Sequence, residues 1–128
     1  MNNNWSISAV NKTSSAFKYF VSINSKLGFH FNNKTHFDGS GQIKVYCEGT
    51  VICRLSTDDK FQKLTNKELI LNLYDDYGLN FINYVKGNFI IIVILENRAV
   101  IFNDHLGINK FFYKKNNNHY EYSSDINN

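Results

Sequence analysis

The sequence predicts an α+β domain in which antiparallel strands form a sheet covered on both faces, and three observations carry that prediction. Residues 89–95, Phe-Ile-Ile-Ile-Val-Ile-Leu, are apolar at every position, so both faces of the strand they form must be covered. Thr65-Asn66-Lys67-Glu68 has capping-box spacing, in which the Thr65 hydroxyl accepts from the Glu68 amide and the Glu68 carboxylate from the Thr65 amide, so a helix starts there. Short polar interruptions at 96–98 and 116–118 join β-rich stretches closely enough to make two successive antiparallel hairpins.

Taken in order, residues 16–23 and 27–31 read as aromatic-rich strands divided by Asn24-Ser25. Asn32-Asn33-Lys34 and Asp38-Gly39-Ser40-Gly41 are polar turns, and 42–55 reads as one long strand or as a hairpin broken near Gly49. The capped helix carries Leu69, Ile70, Leu73, Tyr74 and Tyr77 at three-and-four spacing on one face, and Gly78 supplies its left-handed end. A second helical turn is expected over 80–86, closed by Gly87 in the same manner. Strands follow at 89–95, 99–102, 110–114 and 119–123, with a loop at 104–107.

At 128 residues the chain is expected to be one unit, residues 1–128. Its 43% hydrophobic content, with 11 Phe and 8 Tyr, supplies a core and excludes a disordered chain. The net charge of +3 is scattered, which argues against nucleic acid or an anionic membrane surface as partner. The start, Met1 to Ser6, has neither a basic nor an apolar signal region, and the longest apolar run falls far short of the ~20 residues that cross a bilayer. The expected location is cytoplasmic. Cys47 and Cys53, an even number of positions apart on one strand, share a face about 20 Å from each other and read as buried thiols of a reducing compartment. His30, His36 and His119 lack ligand spacing, so no metal is expected, and no cofactor either. Gly39-Ser40-Gly41 lacks the Lys-Ser/Thr and helix of a phosphate loop. The aromatic residues Tyr19, Phe20, Phe29, Phe31, Phe111, Phe112 and Tyr113 alternate across strand faces, so about half are core rather than a stacking platform.

Read as one string, Asp75-Asp76-Tyr77-Gly78, Lys86-Gly87-Asn88-Phe89, the apolar hairpin, Asn103-Asp104-His105-Leu106-Gly107, Phe111-Phe112-Tyr113 and Tyr122-Ser123-Ser124-Asp125-Ile126 form a recognisable order. This order resembles the glutaminase domain of asparagine synthetases and related class II glutamine amidotransferases. The match covers 65–126 well, 42–54 weakly and the first forty residues barely. It implies a shortened N-terminal-nucleophile hydrolase-like sandwich: two stacked antiparallel sheets with flanking helices. It also implies that Gly87, Phe89, Asp104 and Gly107 are structural.

The chemistry departs from that family. Its active members use an N-terminal Cys, exposed by loss of the initiator Met, as nucleophile; this chain has Asn2 there, and a carboxamide is no nucleophile at neutral pH. The family's Asn-Gly-Glu motif aligns on Glu48-Gly49-Thr50. A carboxylate at Glu48 cannot donate to a developing oxyanion, a contact whose loss costs about 2.7–4 kcal/mol, and Thr50 lacks the charge to hold an ammonium. The family's substrate-binding aspartate falls on Asn66, and its Arg-Gly-Pro-Asp segment has no counterpart in a chain without Pro. No Ser-Gly-Gly-x-Asp-Ser loop of a synthetase domain occurs before the last residue, Asn128. The expectation is therefore a catalytically inactive glutaminase-like domain acting as scaffold, or as partner in trans of an asparagine synthetase-like ATP-dependent ligase or cyclase, including a peptide-modifying one. The alternatives are an amidohydrolase with an unrecognised nucleophile, whether Cys47 with Asp104-His105 or a hydroxyl among Ser6, Ser8, Thr13, Ser14 and Ser15, and a small-molecule binding module reusing the glutamine cleft.

Overall fold

A computed structural model describes residues 3–10, 17–54, 64–104, 110–116 and 119–124. Of the positions singled out above, Asn2, Thr13, Ser14, Ser15, His105, Gly107 and Ile126 lie outside the described residues.

Among the described residues nine strands form two antiparallel sheets. Sheet A orders β2 (Tyr19–Ser22), β3 (Leu27–Phe31), β1 (Trp5–Ala9), β9 (His119–Ser123) and β8 (Phe112–Asn116); sheet B orders β4 (Phe37–Asp38), β5 (Lys44–Cys53), β6 (Val85–Leu95) and β7 (Arg98–Asn103). Helix α1 (Asn66–Tyr77) and a 3-10 stretch, Gly78–Tyr84, lie on the far side of sheet B. The architecture is α+β, with two antiparallel sheets arranged as a sandwich.

Two cores separate the layers. Between the sheets, Trp5, Ile7, Phe29 and Phe31 of sheet A meet Tyr46, Ile90, Ile92 and Ile94 of sheet B. Phe29 and Phe31 stack at 4.9 Å and both take the edge of Tyr46, contacts worth about 0.5–1.5 kcal/mol per pair beyond the area they bury. Between sheet B and α1, Val45, Cys47, Phe89, Ile91 and Val93 meet Leu69, Ile70 and Leu73. Strand β6 therefore sends alternate residues into each core, which is why every residue from Phe89 to Ile94 is buried and why its sequence shows no alternation.

The helix has both halves of its capping box, Thr65 N–H to Glu68 at 3.0 Å and Glu68 N–H to the Thr65 hydroxyl at 3.2 Å, and Gly78 ends it at φ 61°. Leu69, Ile70 and Leu73 are fully buried on its inner face, each contributing about 1.5–3 kcal/mol. Both cysteines are buried and on the helix side of β5, as even spacing requires.

Three expectations need correction. No helical turn spans 80–86: the 3-10 stretch ends at Tyr84, and Val85, Lys86 and Gly87 already pair with Cys53, Ile52 and Val51. Gly87 thus sits inside a strand instead of closing a helix. Of the two readings of 42–55 the single long strand holds: β5 continues straight through Gly49, because ten consecutive residues keep register with β6. Flanking helices are expected in the plural, but among the described residues one α-helix and one 3-10 layer cover sheet B alone. The strand expected at 110–114 begins two residues later, since Phe111 turns inward against Trp5 before β8 starts. A strand was also missed: β1, central in sheet A, buries Trp5 and Ile7 on one face and Ser6 and Ser8 on the other, so small polar residues hide its apolar character. Among the described residues no helix is long and apolar enough to cross a membrane.

Candidate functional site

The strand β5 positions most of the site. Its odd positions, Val45, Cys47, Val51 and Cys53, face α1, so Tyr46, Glu48 and Thr50 project on the opposite side. Tyr46 is fully buried and donates its hydroxyl proton to Glu48 Oε1 at 2.6 Å, with the backbone carbonyl of Asn3 3.4 Å from the Tyr46 hydroxyl oxygen. The beginning of the described chain therefore lies against Tyr46, the partner of Glu48, although the two are far apart in sequence.

Neighbouring polar groups extend this contact. Asn33, itself buried, donates from Nδ2 to Asn3 Oδ1 at 2.8 Å, and its own Oδ1 accepts from the Thr35 amide at 3.1 Å and the Thr35 hydroxyl at 2.5 Å. Lys67, in the first turn of α1, donates from Nζ to the Thr35 carbonyl at 2.7 Å. Beside it, Asn66 donates from Nδ2 to the Gly49 carbonyl at 2.8 Å. The His36 ring stands edge-on to Tyr46 at 5.8 Å.

Burial governs the protonation of this cluster. Desolvation pushes the Glu48 carboxyl above the ordinary carboxylate range, with the Tyr46 hydrogen bond partly offsetting it. Desolvation, then nearby Lys67, lowers His36, and desolvation followed by Glu48 raises Tyr46. Cys47, turned away toward α1, is pushed up to about 12 by desolvation and then by Glu48, so it carries almost no thiolate at neutral pH. The cluster offers a carboxylate acceptor at Glu48, while the Tyr46, Asn33, Asn66 and Lys67 donors all point to acceptors of the chain itself.

The residues expected to be structural adjoin the same strand. Gly49 pairs with Phe89, Thr50 with Asn88 and Val51 with Gly87. At Gly49, φ is 94° and a side chain's first carbon would lie 2.0 Å from the Asn88 carbonyl oxygen; at Gly87, φ is 129° and the same atom would lie 2.2 Å from the Thr50 carbonyl oxygen. The two glycines thus flank the Thr50–Asn88 pair and let the backbones close on it from both sides. Asp104 is buried and finishes the row: its Oδ1 accepts the Phe89 amide at 3.2 Å while its own amide donates to the Phe89 carbonyl at 3.1 Å.

Two groups that are separate in sequence are therefore one continuous element, from Asn66 to Gly49, across to Phe89 and on to Asp104. Thr50 lies exposed on the same strand. Asn3, Asn33, Thr35, His36, Tyr46 and Lys67 were not anticipated. Tyr46 carried a signal, since it is two positions from Glu48 on a strand and so shares its face; the others converge through tertiary contacts alone. Gly87 and Phe89 also line an open cleft of about 370 Å³ with Arg54, Asn83, Lys86 and Asn103. Among the described residues no group of three or more His, Cys, Asp or Glu could hold a metal ion.

A family profile described as "Glutamine amidotransferase domain" matches residues 41–128, more than two thirds of the chain and including β5, β6, α1 and Asp104. The chain is also 28% identical over 94 residues to a protein named Amidase chry2 of Gibberella zeae, an alignment covering 67% of this chain and 14% of that protein. The chain thus spans a minor part of that relative's length.

Proposed function

Because the chain belongs to the glutamine amidotransferase domain family, we propose that it is a catalytically inactive member of the asparagine synthetase type, with the N-terminal-nucleophile hydrolase fold. It acts as a scaffold for a separate ATP-dependent amide ligase or cyclase, including one that modifies peptides.

The observation that carries this reading is the Glu48–Tyr46 hydrogen bond beside Asn3. Deamidation of glutamine needs a nucleophile at the chain start and donors aimed at the oxygen that gains charge. Here the position aligned with the oxyanion donor is an acceptor, engaged by a buried phenol, and position 2 is a carboxamide. The Asn66 side chain, aligned with a substrate clamp, donates to the Gly49 backbone. These residues satisfy one another by hydrogen bonds within the chain, which is a structural use of the cluster.

The reading of Cys47 as an unrecognised nucleophile is opposed by its position on the helix side of β5 and its raised pKa. Ser6 and Ser8 are buried on the outer face of sheet A, away from Glu48.

The test is glutamine hydrolysis by the purified chain, read as glutamate release. The expected result is no release above a boiled control, for wild type and for Cys47→Ala alike. Steady turnover by the wild-type chain would overturn the proposal. For the scaffold role, co-expression with an asparagine synthetase-like ligase or cyclase from the same genome should give a co-purifying complex, and independent migration of the two proteins would remove that part.

A further inference from the structure

The two sheets do not cover one another evenly. Tyr46 of β5 packs against Phe29 and Phe31 of β3, while Tyr122 of β9 closes a small apolar slot with Ala99 and Ile101 of β7. With β7 at the edge of sheet B beneath β9, the outermost strand of sheet A, β8, projects one strand beyond it. Tyr113 of β8 pairs with Tyr122, and Tyr120 stands two residues from Tyr122, so both rings point toward the level of sheet B. They find nothing beneath them among the described residues: Tyr113 is 68% exposed and Tyr120 47% exposed. The rings touch one another at 5.9 Å and form an aromatic shelf.

At the root of that shelf runs β7, six residues long, with Ala99, Val100, Ile101 and Phe102 half-buried and neither Lys nor Pro within it. One long side of β7 faces β6; the other faces no strand among the described residues. A long apolar edge with unpaired backbone groups is a template for another strand. We propose that the edge of β7 and the overhanging Tyr113 and Tyr120 form one docking groove, which takes an extended, acidic segment of a partner protein as a fifth strand of sheet B.

Charge selects the occupant. Residues 105–120 contain no Asp or Glu. Lys110 and Lys115 are exposed around the shelf and Arg98 at the start of β7, while Lys114 projects from the opposite face of β8, 3.8 Å from Glu121. A partner strand that buries alternate apolar side chains under the tyrosines would meet these cations with its carboxylates. A second copy of this chain does not fit. Two β7 edges paired about a two-fold axis would bring β8 of each copy over β7 of the other, the place its own β9 occupies, since strands in a sheet lie only about 4.8 Å apart. It would also set the two lysine clusters against each other.

The test uses the full chain and fluorescein-labelled nine-residue peptides: one alternating glutamate with valine and tyrosine, one with lysine in place of glutamate, and one acidic peptide with a central proline. Fluorescence anisotropy should show saturable binding of the first, at least tenfold weaker binding of the other two, and at least tenfold loss with the Tyr113→Ala/Tyr120→Ala double variant. Phe20→Ser, at the opposite edge of sheet A, should bind as wild type, and circular dichroism should show both variants folded. No saturable binding at millimolar peptide, equal binding of the proline peptide, or indifference to the tyrosine substitutions in a folded chain would each overturn the proposal. So would sedimentation of the chain as a dimer that the tyrosine substitutions dissociate.

Discussion

Strand β5 carries two adjacent stretches built on opposite principles. From Gly49 to Val51 the facing backbone of β6 leaves no room for choice, because an added carbon at Gly49 or at Gly87 opposite would fall within 2.2 Å of a carbonyl oxygen. From Tyr46 to Glu48 the constraint is mutual satisfaction: a buried phenol has found a carboxylate, and that carboxylate could be exchanged for another acceptor without moving the backbone. The difference separates frame from chemistry. The frame is held by steric contacts that admit one residue type, whereas the polar groups beside it can be exchanged as long as each buried polar atom keeps a partner.

That contrast predicts an ordered series of effects. Gly49→Ala and Gly87→Ala should each cost roughly 3 kcal/mol, the top of the range for a residue held at positive φ, because steric overlap adds to backbone strain. Chemical denaturation should show this as a lowered midpoint, and a loss below about 1 kcal/mol would mean that the two strands can separate locally. Next, Asp104→Ala should cost about 2 kcal/mol by leaving the Phe89 amide buried without its acceptor, while Asp104→Asn, which retains an oxygen there, should lose distinctly less. Equal losses for the two would assign the effect to charge instead. Thr65→Ala, which removes half of an exposed capping box, should cost about 1 kcal/mol in the same measurement.

The smallest effect belongs to the pocket and shows as a pH dependence. Burial raises Glu48 above its ordinary value of 4.5, so the folded chain holds this proton more tightly than the unfolded chain does. Its stabilising contribution is complete below that ordinary value and is lost as the pH rises through the raised one. Glu48→Gln keeps an acceptor for Tyr46 but has no proton to lose. Thermal unfolding should therefore show the glutamine variant gaining on wild type as the pH climbs from about 4.5 toward neutrality. A difference that stays flat across that range would mean that Glu48 is better solvated than its position implies.

The second half of the chain was legible because its signals are local. The capping box, Gly78 and the three-and-four spacing of Leu69, Ile70 and Leu73 specify α1 within a dozen residues, and the unbroken apolar run of β6 announces coverage on both faces. In the first half β2, β3 and β5 were legible but β1 was not, since Ser6 and Ser8 interrupt its apolar pattern and its central place comes from pairing with β3 and β9, the latter at the other end of the chain. Gly87 misled for a related reason. Glycine at positive φ ends helices and also permits close strand approach, and the neighbouring sequence does not distinguish the two uses.

Of the candidate site, the sequence alone settled the inventory: a carboxamide at position 2, a carboxylate at 48, a hydroxyl at 50 and a carboxamide at 66, with the chemistry each residue type allows. Folding decided who meets whom. Tyr46 beside Asn3, Asn66 on the Gly49 carbonyl and Asp104 on the Phe89 amide arise from strand register and layer packing, and so does the overhang of β8 past β7. The physical reason is range. Caps, turns and periodicity act over a few residues and leave their mark in order along the chain, whereas register across sheets depends on which surfaces remain to be buried once those elements exist.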